Sequence, residues 1–299
     1  MSVLVVGSVA LDTVKTPFGE AEEVLGGSAT FFSVSASFFS DVKVVAVVGT
    51  DFPDKYLEFF EGRNIDTGGL KKVDGQTFRW KGFYDYDLNE AHTLDTQLNV
   101  FSSFEPEIPD RYRESEFVFL ANIDPTLQMR VLEQVTDPRL VICDTMNFWI
   151  ENKRDELIQT IAKVQVMMLN DAEARELAGE PNLVMAARNI MAMGPDRVII
   201  KRGEHGVIMF CSEGYFTLPA YPLEFVYDPT GAGDSFGGGF VGSLARSGEL
   251  SEASIRKSIV YGSVMASFNV ESFSCERLKS LTLEEIDGRY EDFTRITRF

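Results

Sequence analysis

The feature that most restricts the fold is an alternation of short apolar runs with stretches whose apolar residues recur at helical spacing. Val3–Gly7, Val42–Val48, Phe117–Leu120, Leu140–Cys143, Val164–Leu169 and Arg197–Lys201 read as strands buried on both faces. Between them Ala29–Phe39, capped by Ser28, Pro125–Val135, Lys153–Ala162, Asp171–Ala178 and Leu183–Met193 carry helical patterns. Strand, helix, strand at this spacing predicts a mainly parallel sheet with right-handed crossovers, covered by helices. Further strands are expected near Val207–Phe210 and Tyr215–Leu218, then helices over about Gly233–Ser247 and Ser251–Phe268. With 44% apolar residues in 299, such a sheet can have a full core on each side.

One segment departs from the pattern. Phe78, Trp80, Gly82, Tyr84, Tyr86 and Leu88 alternate with Arg79, Lys81, Asp85 and Asp87, and Leu94, Thr96, Leu98 and Val100 alternate again after the turn at Asn89-Glu90. This predicts a two-faced hairpin inserted into the α/β chain, with an aromatic face that must cover the body, a ligand or a second copy.

Charge narrows the partners. Lys and Arg number 28 against 46 Asp and Glu, a net of −18, and the densest basic clusters are the pairs Lys71-Lys72 and Lys201-Arg202. Nucleic acid and anionic membrane surfaces are therefore not expected partners. Two histidines and three scattered cysteines exclude a His-rich zinc site and a disulfide framework. No apolar run reaches the roughly 18 residues of a membrane span, and the first residues lead directly into a strand, so a cytoplasmic location is expected.

The densest chemical signal is Asp228-Pro229-Thr230-Gly231-Ala232-Gly233-Asp234-Ser235-Phe236, running into a helix that starts near Gly233. Glycine in a helix costs about 1 kcal/mol relative to alanine, so a glycine run at a helix start suggests that something approaches the backbone. The N–H groups of Gly231, Ala232 and Gly233, with the helix dipole behind them, form a predicted anion cradle. Beside it, Asp234 is a poor neighbour for a static phosphate but a suitable general base for a hydroxyl attacking one. No G-x-x-x-x-G-K-[ST] string, G-x-G-x-x-G after the first strand, or protein-kinase signature is present.

This nine-residue string resembles the C-terminal signature of the ribokinase (PfkB) family of carbohydrate and nucleoside kinases. Four further features resemble that family in order and spacing: Gly7 to Asp12, the pair Gly26-Gly27, Asn170-Asp171-Ala172-Glu173, and Lys201 to Gly206. The resemblance spans nearly the whole chain. It implies a ribokinase-like three-layer α/β/α sandwich in a single domain, with a mainly parallel sheet and a small β-sheet lid from about 13–25 and 73–101. It also implies ATP-dependent phosphoryl transfer to a hydroxyl of a sugar, polyol or nucleoside.

Carried over by position, the resemblance makes Asp234 the catalytic base and Gly231, Ala232 and Gly233 the anion hole. Asn170 and Glu173 would organise Mg²⁺ through water, and Lys201, Gly203, Gly206 and Asn269 would line the nucleotide. Asp12, Gly26, Gly27 and Thr30 would face the acceptor, with Arg79 reaching it from the lid. Asp228 and the Thr230 carbonyl match a monovalent-cation site, with K⁺ as the candidate. Where many sugar kinases have an Asn after the glycine pair, this chain has Thr30 and Phe31, so the acceptor is less determined than the reaction. The alternatives are a nucleoside kinase, a silent ligand-binding member, or a sugar-phosphate kinase, the last needing Arg79 or Lys81 as its cation. The aromatic hairpin face predicts a homodimer through paired lids.

Overall fold

A computed structural model describes residues 1–298. The chain opens with β1 (Ser2–Val6), β2 (Ala10–Thr16), β3 (Gly19–Gly26), α1 (Ser28–Ala36), β4 (Asp41–Gly49), α2 (Asp54–Glu61) and β5 (Ile65–Val73). Next come β6 (Arg79–Tyr84), β7 (Ala91–Gln97), β8 (Phe117–Leu120), α3 (Pro125–Leu132) and β9 (Leu140–Asp144). The middle of the chain holds α4 (Asn147–Asn152), α5 (Arg154–Ile161), β10 (Val166–Asn170), α6 (Asp171–Ala178), α7 (Leu183–Met191) and β11 (Arg197–Lys201). It ends with β12 (Val207–Cys211), β13 (Gly214–Leu218), α8 (Ala232–Ser247), α9 (Glu252–Asn269), α10 (Glu276–Ser280) and α11 (Leu283–Ile296).

Nine strands form one sheet in the order β13-β12-β11-β10-β9-β8-β1-β4-β5. The run from β11 to β5 is parallel, and only β12 and β13 run against their neighbours. Alternate residues of each strand feed two separate cores. Val3, Val5, Phe117 and Phe119 pack with the helices α1, α8, α9 and α11 on one face. Leu4, Val6, Val118 and Leu120 pack with α3, α5, α6 and α7 on the other. That two-sided burial explains why these strands read as continuous apolar runs. In this parallel register Asp144 ends β9, Asn170 ends β10 and Lys201 ends β11, all at the carboxyl edge of the sheet where α/β ligand sites open.

A second sheet has the order β3-β2-β6-β7, with β2 and β6 parallel and the outer pairs antiparallel. The hairpin is shorter than its alternation predicts. Asp85–Leu88 leaves the strand as a turn, in which Leu88 N–H donates to the Asp85 carbonyl and Asn89 N–H to the Asp87 carboxylate. Tyr86 is thereby turned out to 83% exposure, away from the aromatic face. Beyond Gln97 the chain coils into a 3-10 turn over Asn99–Ser103, where Phe101 stacks between Phe78 and Phe104. Ser28 also differs from expectation: it is the first residue of α1, and its hydroxyl pairs with Ser8 while Gly27 occupies the cap position.

Candidate active site

Gly231 sets the geometry of the signature segment. It precedes α8 with φ 72° and ψ 5°, a left-handed conformation that glycine adopts without Cβ strain. A Cβ there would run into the Phe31 ring, which packs directly beneath it. Phe31 and Phe32 are core residues, Phe32 stacking on Phe119 with ring centroids 4.1 Å apart. The Ala232 N–H donates to the Pro229 carbonyl at 3.1 Å, which corrects the expectation that it joins the anion cradle. The amides of Gly231 and Gly233 have no such acceptor and remain open to an incoming oxygen.

Asp234 lies in the first turn of α8 with three ionisable groups acting on it. Burial first, and then Asp144 and Asp12, push its carboxyl well above the usual carboxylate range, against the pull of Lys201. Lys201 is far from a solvated surface lysine. Its Nζ bonds Asp144 Oδ2 at 2.9 Å, and a Cβ added at Gly233 would stand 3.0 Å from it. Burial pulls the Lys201 pKa down, but Asp144, Glu173 and Asp234 outweigh burial and keep the ammonium charged.

Asp12 lies across the glycine pair. Its carboxylate occupies the space a Cβ at Gly26 would fill, next to the Gly27 backbone. Gly27 has φ 95°, and a Cβ there would be 2.5 Å from the Ser8 carbonyl oxygen. Burial raises Asp12 to about 7, opposed by the Gly27 backbone and aided by Asp228. Asn170 and Glu173 form a complete capping box at the start of α6: Glu173 N–H donates to Asn170 Oδ1 at 2.8 Å and Asn170 N–H to Glu173 Oε2 at 2.7 Å. Burial raises Glu173 to about 7, with Lys201 pulling the other way.

Four expected ligand residues are buried or paired within the fold. Thr30 is fully buried, its Oγ1 unpartnered, and offers no surface to an acceptor. Arg79 is clamped by Glu23 and Asp51 at 2.9 and 2.8 Å and by the Thr77 carbonyl, so its guanidinium anchors the second sheet. Asn269 is fully buried, donating to the Thr230 carbonyl and accepting from Ser235, which ties α9 to the signature rather than to a nucleotide. Asp228 is also satisfied within the fold, by the N–H groups of Thr230 and Ser274 at 2.9 and 3.2 Å. These two donors meet part of the partner requirement that its burial imposes.

Mg²⁺ fits the site. Among the described residues no group of three or more His, Cys, Asp or Glu makes a ready cage. Mg²⁺ nevertheless needs few protein ligands and keeps its waters, and Glu173 Oε1 stays outside the capping box. Gly203 and Gly206 bracket the turn after β11, with φ 51° and 81°. The tip of the second sheet comes down on this turn, where Asn89 Oδ1 would lie 3.0 Å from a Cβ at Gly203. Tyr84 on β6 reaches Thr230 Oγ1 at 3.4 Å. Asp144, Tyr84 and Asn89 are the site neighbours that the motifs did not assign; Tyr84 stood out in the sequence only as one of an alternating set of aromatics and Asn89 as a turn residue.

Comparisons with known proteins identify the family. Residues 2–280 match the pfkB family of carbohydrate kinases. A cytidine kinase of Thermococcus kodakarensis is 29% identical over 259 residues, covering 84% of this chain and 91% of that protein. A nucleoside kinase of Methanocaldococcus jannaschii is 24% identical, with 86% and 82% covered. The crystal structure of a Methanocaldococcus jannaschii nucleoside kinase superposes with a TM-score of 0.78 at 20% identity, covering 97% of this chain and 98% of that one. Burkholderia thailandensis nucleoside kinase in complex with inosine gives 0.77 at 18% identity, with 97% of each covered. No helix among the described residues is long and apolar enough to cross a membrane. A match over nearly the whole length, on a ribokinase-type fold, means that the chain belongs to the pfkB family of carbohydrate kinases and is a phosphotransferase acting on a hydroxyl group.

Proposed function

We propose that the protein is an ATP-dependent nucleoside kinase with Asp234 as its general base. The observation that carries this reading is the position of the Asp234 carboxylate, at the α8 N-terminus beside the open amides of Gly231 and Gly233 and within electrostatic reach of Asp12 and Lys201. The acceptor hydroxyl, oriented by Asp12, gives its proton to Asp234 while its oxygen bonds to the γ-phosphorus. The bond from that phosphorus to the bridging oxygen breaks, and ADP leaves. The Gly231 and Gly233 N–H groups and the helix dipole take the charge that develops on the phosphoryl oxygens. Mg²⁺, when bound with the nucleotide, neutralises phosphate charge, and Glu173 and Asn170 would hold its waters.

A neutral acceptor suits the site better than a sugar phosphate. Neither candidate cation is set to hold a second phosphate: Arg79 is paired with Glu23 and Asp51, and Lys81 is exposed on the second sheet. The relatives named as cytidine and nucleoside kinases support a nucleoside among neutral acceptors. The second sheet acts as the lid, with Tyr84 and Asn89 as its two points of closure, excluding water from the transferring group. Its exposed Tyr86, Leu94 and Leu98, at 83%, 60% and 47% exposure, support pairing of two lids in a homodimer. The test of the central reading is product detection by mass spectrometry with MgATP and a panel of nucleosides, sugars and polyols. A phosphorylated nucleoside from the native chain and none from Asp234→Asn is expected; phosphorylation of sugars alone overturns the nucleoside assignment.

A further inference from the structure

Lys201 and Asp144 lie 57 residues apart and come from different strands, yet they form an ion pair in which both side chains are largely withdrawn from water, at 17% and 5% exposure. The pair stands at the open edge of the sheet against α8, where Gly233 leaves room for the Lys201 Nζ. Asp144 is held in one orientation. Its Oδ1 accepts from the Thr145 N–H at 2.9 Å, and its main-chain carbonyl accepts from the fully buried Gln128. Its Oδ2 is left for Lys201.

An ammonium has three N–H donors, and Asp144 takes one; the described residues supply no hydrogen-bond acceptor for the other two. The Nζ that carries them stands beside Gly233, whose amide is itself open. Together they make a three-point donor set for oxygens carrying negative charge. An acid-rich surround of Asp144, Glu173 and Asp234 keeps the lysine charged before those oxygens arrive.

Resting on the kinase reading above, we propose that Asp144 is a positioning residue: it holds the Lys201 ammonium beside Gly233, so that the ammonium meets the transferring phosphoryl oxygens without first being gathered from solvent. Lys201 then serves as the cation of the anion hole, and Asp144 acts only through it.

Steady-state kinetics on the full chain tests this with four variants: Lys201→Met, Lys201→Arg, Asp144→Asn and the charge-neutral double Asp144→Asn/Lys201→Met. Loss of Lys201 is expected to lower kcat on the order of 100-fold, with the acceptor KM within about twofold. Lys201→Arg should recover part of that loss. Asp144→Asn should lower kcat by roughly tenfold, and the double variant should be no slower than Lys201→Met alone, because Asp144 has nothing left to position. Losses that multiply in the double variant, or a lower melting temperature with unchanged kcat, overturn the proposal. Should the single variants not fold, the double leaves no unpaired buried charge, and native kcat from it overturns the proposal equally. Calorimetry reads the pair without turnover: Lys201→Met should weaken ATP by about tenfold and leave AMP unchanged, and equal weakening of both contradicts it. A native chain that phosphorylates no acceptor refutes the kinase reading, while the calorimetric comparison still decides the role of Lys201.

Discussion

At the residue scale the site depends on two kinds of constraint, space and charge. Gly231 carries both a left-handed backbone and a close approach to the Phe31 ring. Gly231→Ala therefore costs about 1–2 kcal/mol in backbone strain alone, before Phe31 is displaced. It is expected to lower the melting temperature by several degrees and to reduce activity at least 100-fold; a native-like rate would show that the α8 entrance tolerates a different path. Asp12 illustrates the charge constraint. Its folded pKa is raised to about 7 from 3.8, so the folded chain holds this proton more tightly than the unfolded chain does. The sign follows: below about pH 4 the group costs nothing, and as pH rises toward 7 and beyond, folding bears the cost of an ionised buried carboxylate. Asp12→Asn should thus melt higher than the native chain at pH 8, with the difference closing toward pH 4, while acceptor KM rises. Calorimetric melting across that range checks it, and a difference that grows on acidification would contradict the assigned burial of charge.

At the scale of elements, α6 is a case where local chemistry and site chemistry share residues. The capping box that starts the helix also orients Glu173 toward the sheet edge. Asn170→Ala should cost about 1 kcal/mol through the lost cap and raise the Mg²⁺ concentration needed for half-maximal activity several-fold. Unchanged Mg²⁺ dependence with reduced stability would leave the box a purely structural device. The main-sheet elements were legible because buried parallel strands leave uninterrupted apolar runs, as in Val42–Val48. The hairpin ends were not: period-two alternation continued through Asp85–Leu88, where one backbone bond and one side-chain-to-backbone bond favour a turn. Gly27, Gly203, Gly206 and Gly231 were readable because each has a positive φ that favours glycine. Arg79 and Asn269 depart from their expected roles because they are polar side chains whose direction is set by partners far away in sequence, Asp51 for Arg79 and Thr230 for Asn269, while Thr30 is simply buried. Sequence spacing carries no record of those meetings.

At the scale of the whole molecule, two cores hold a rigid sheet whose carboxyl edge presents Asp144, Asn170 and Lys201, while the second sheet bends over that edge through Tyr84 and Asn89. The second sheet leaves Leu94 and Tyr86 exposed, and pairing of two such sheets, as proposed, would cover them. Light scattering at micromolar concentration should give twice the 33.4 kDa chain mass, and Leu94→Glu should return the monomer; the monomer mass for the native chain would remove the dimer from the account. The most direct test of the central claim is the rate of nucleoside phosphorylation with MgATP, native chain against Asp234→Asn. Loss of the base is expected to lower kcat by about 10²–10⁴-fold in a variant that remains folded and still binds ATP. A variant that turns over at the native rate would contradict the assignment of Asp234, and with it the mechanism built on the α8 N-terminus.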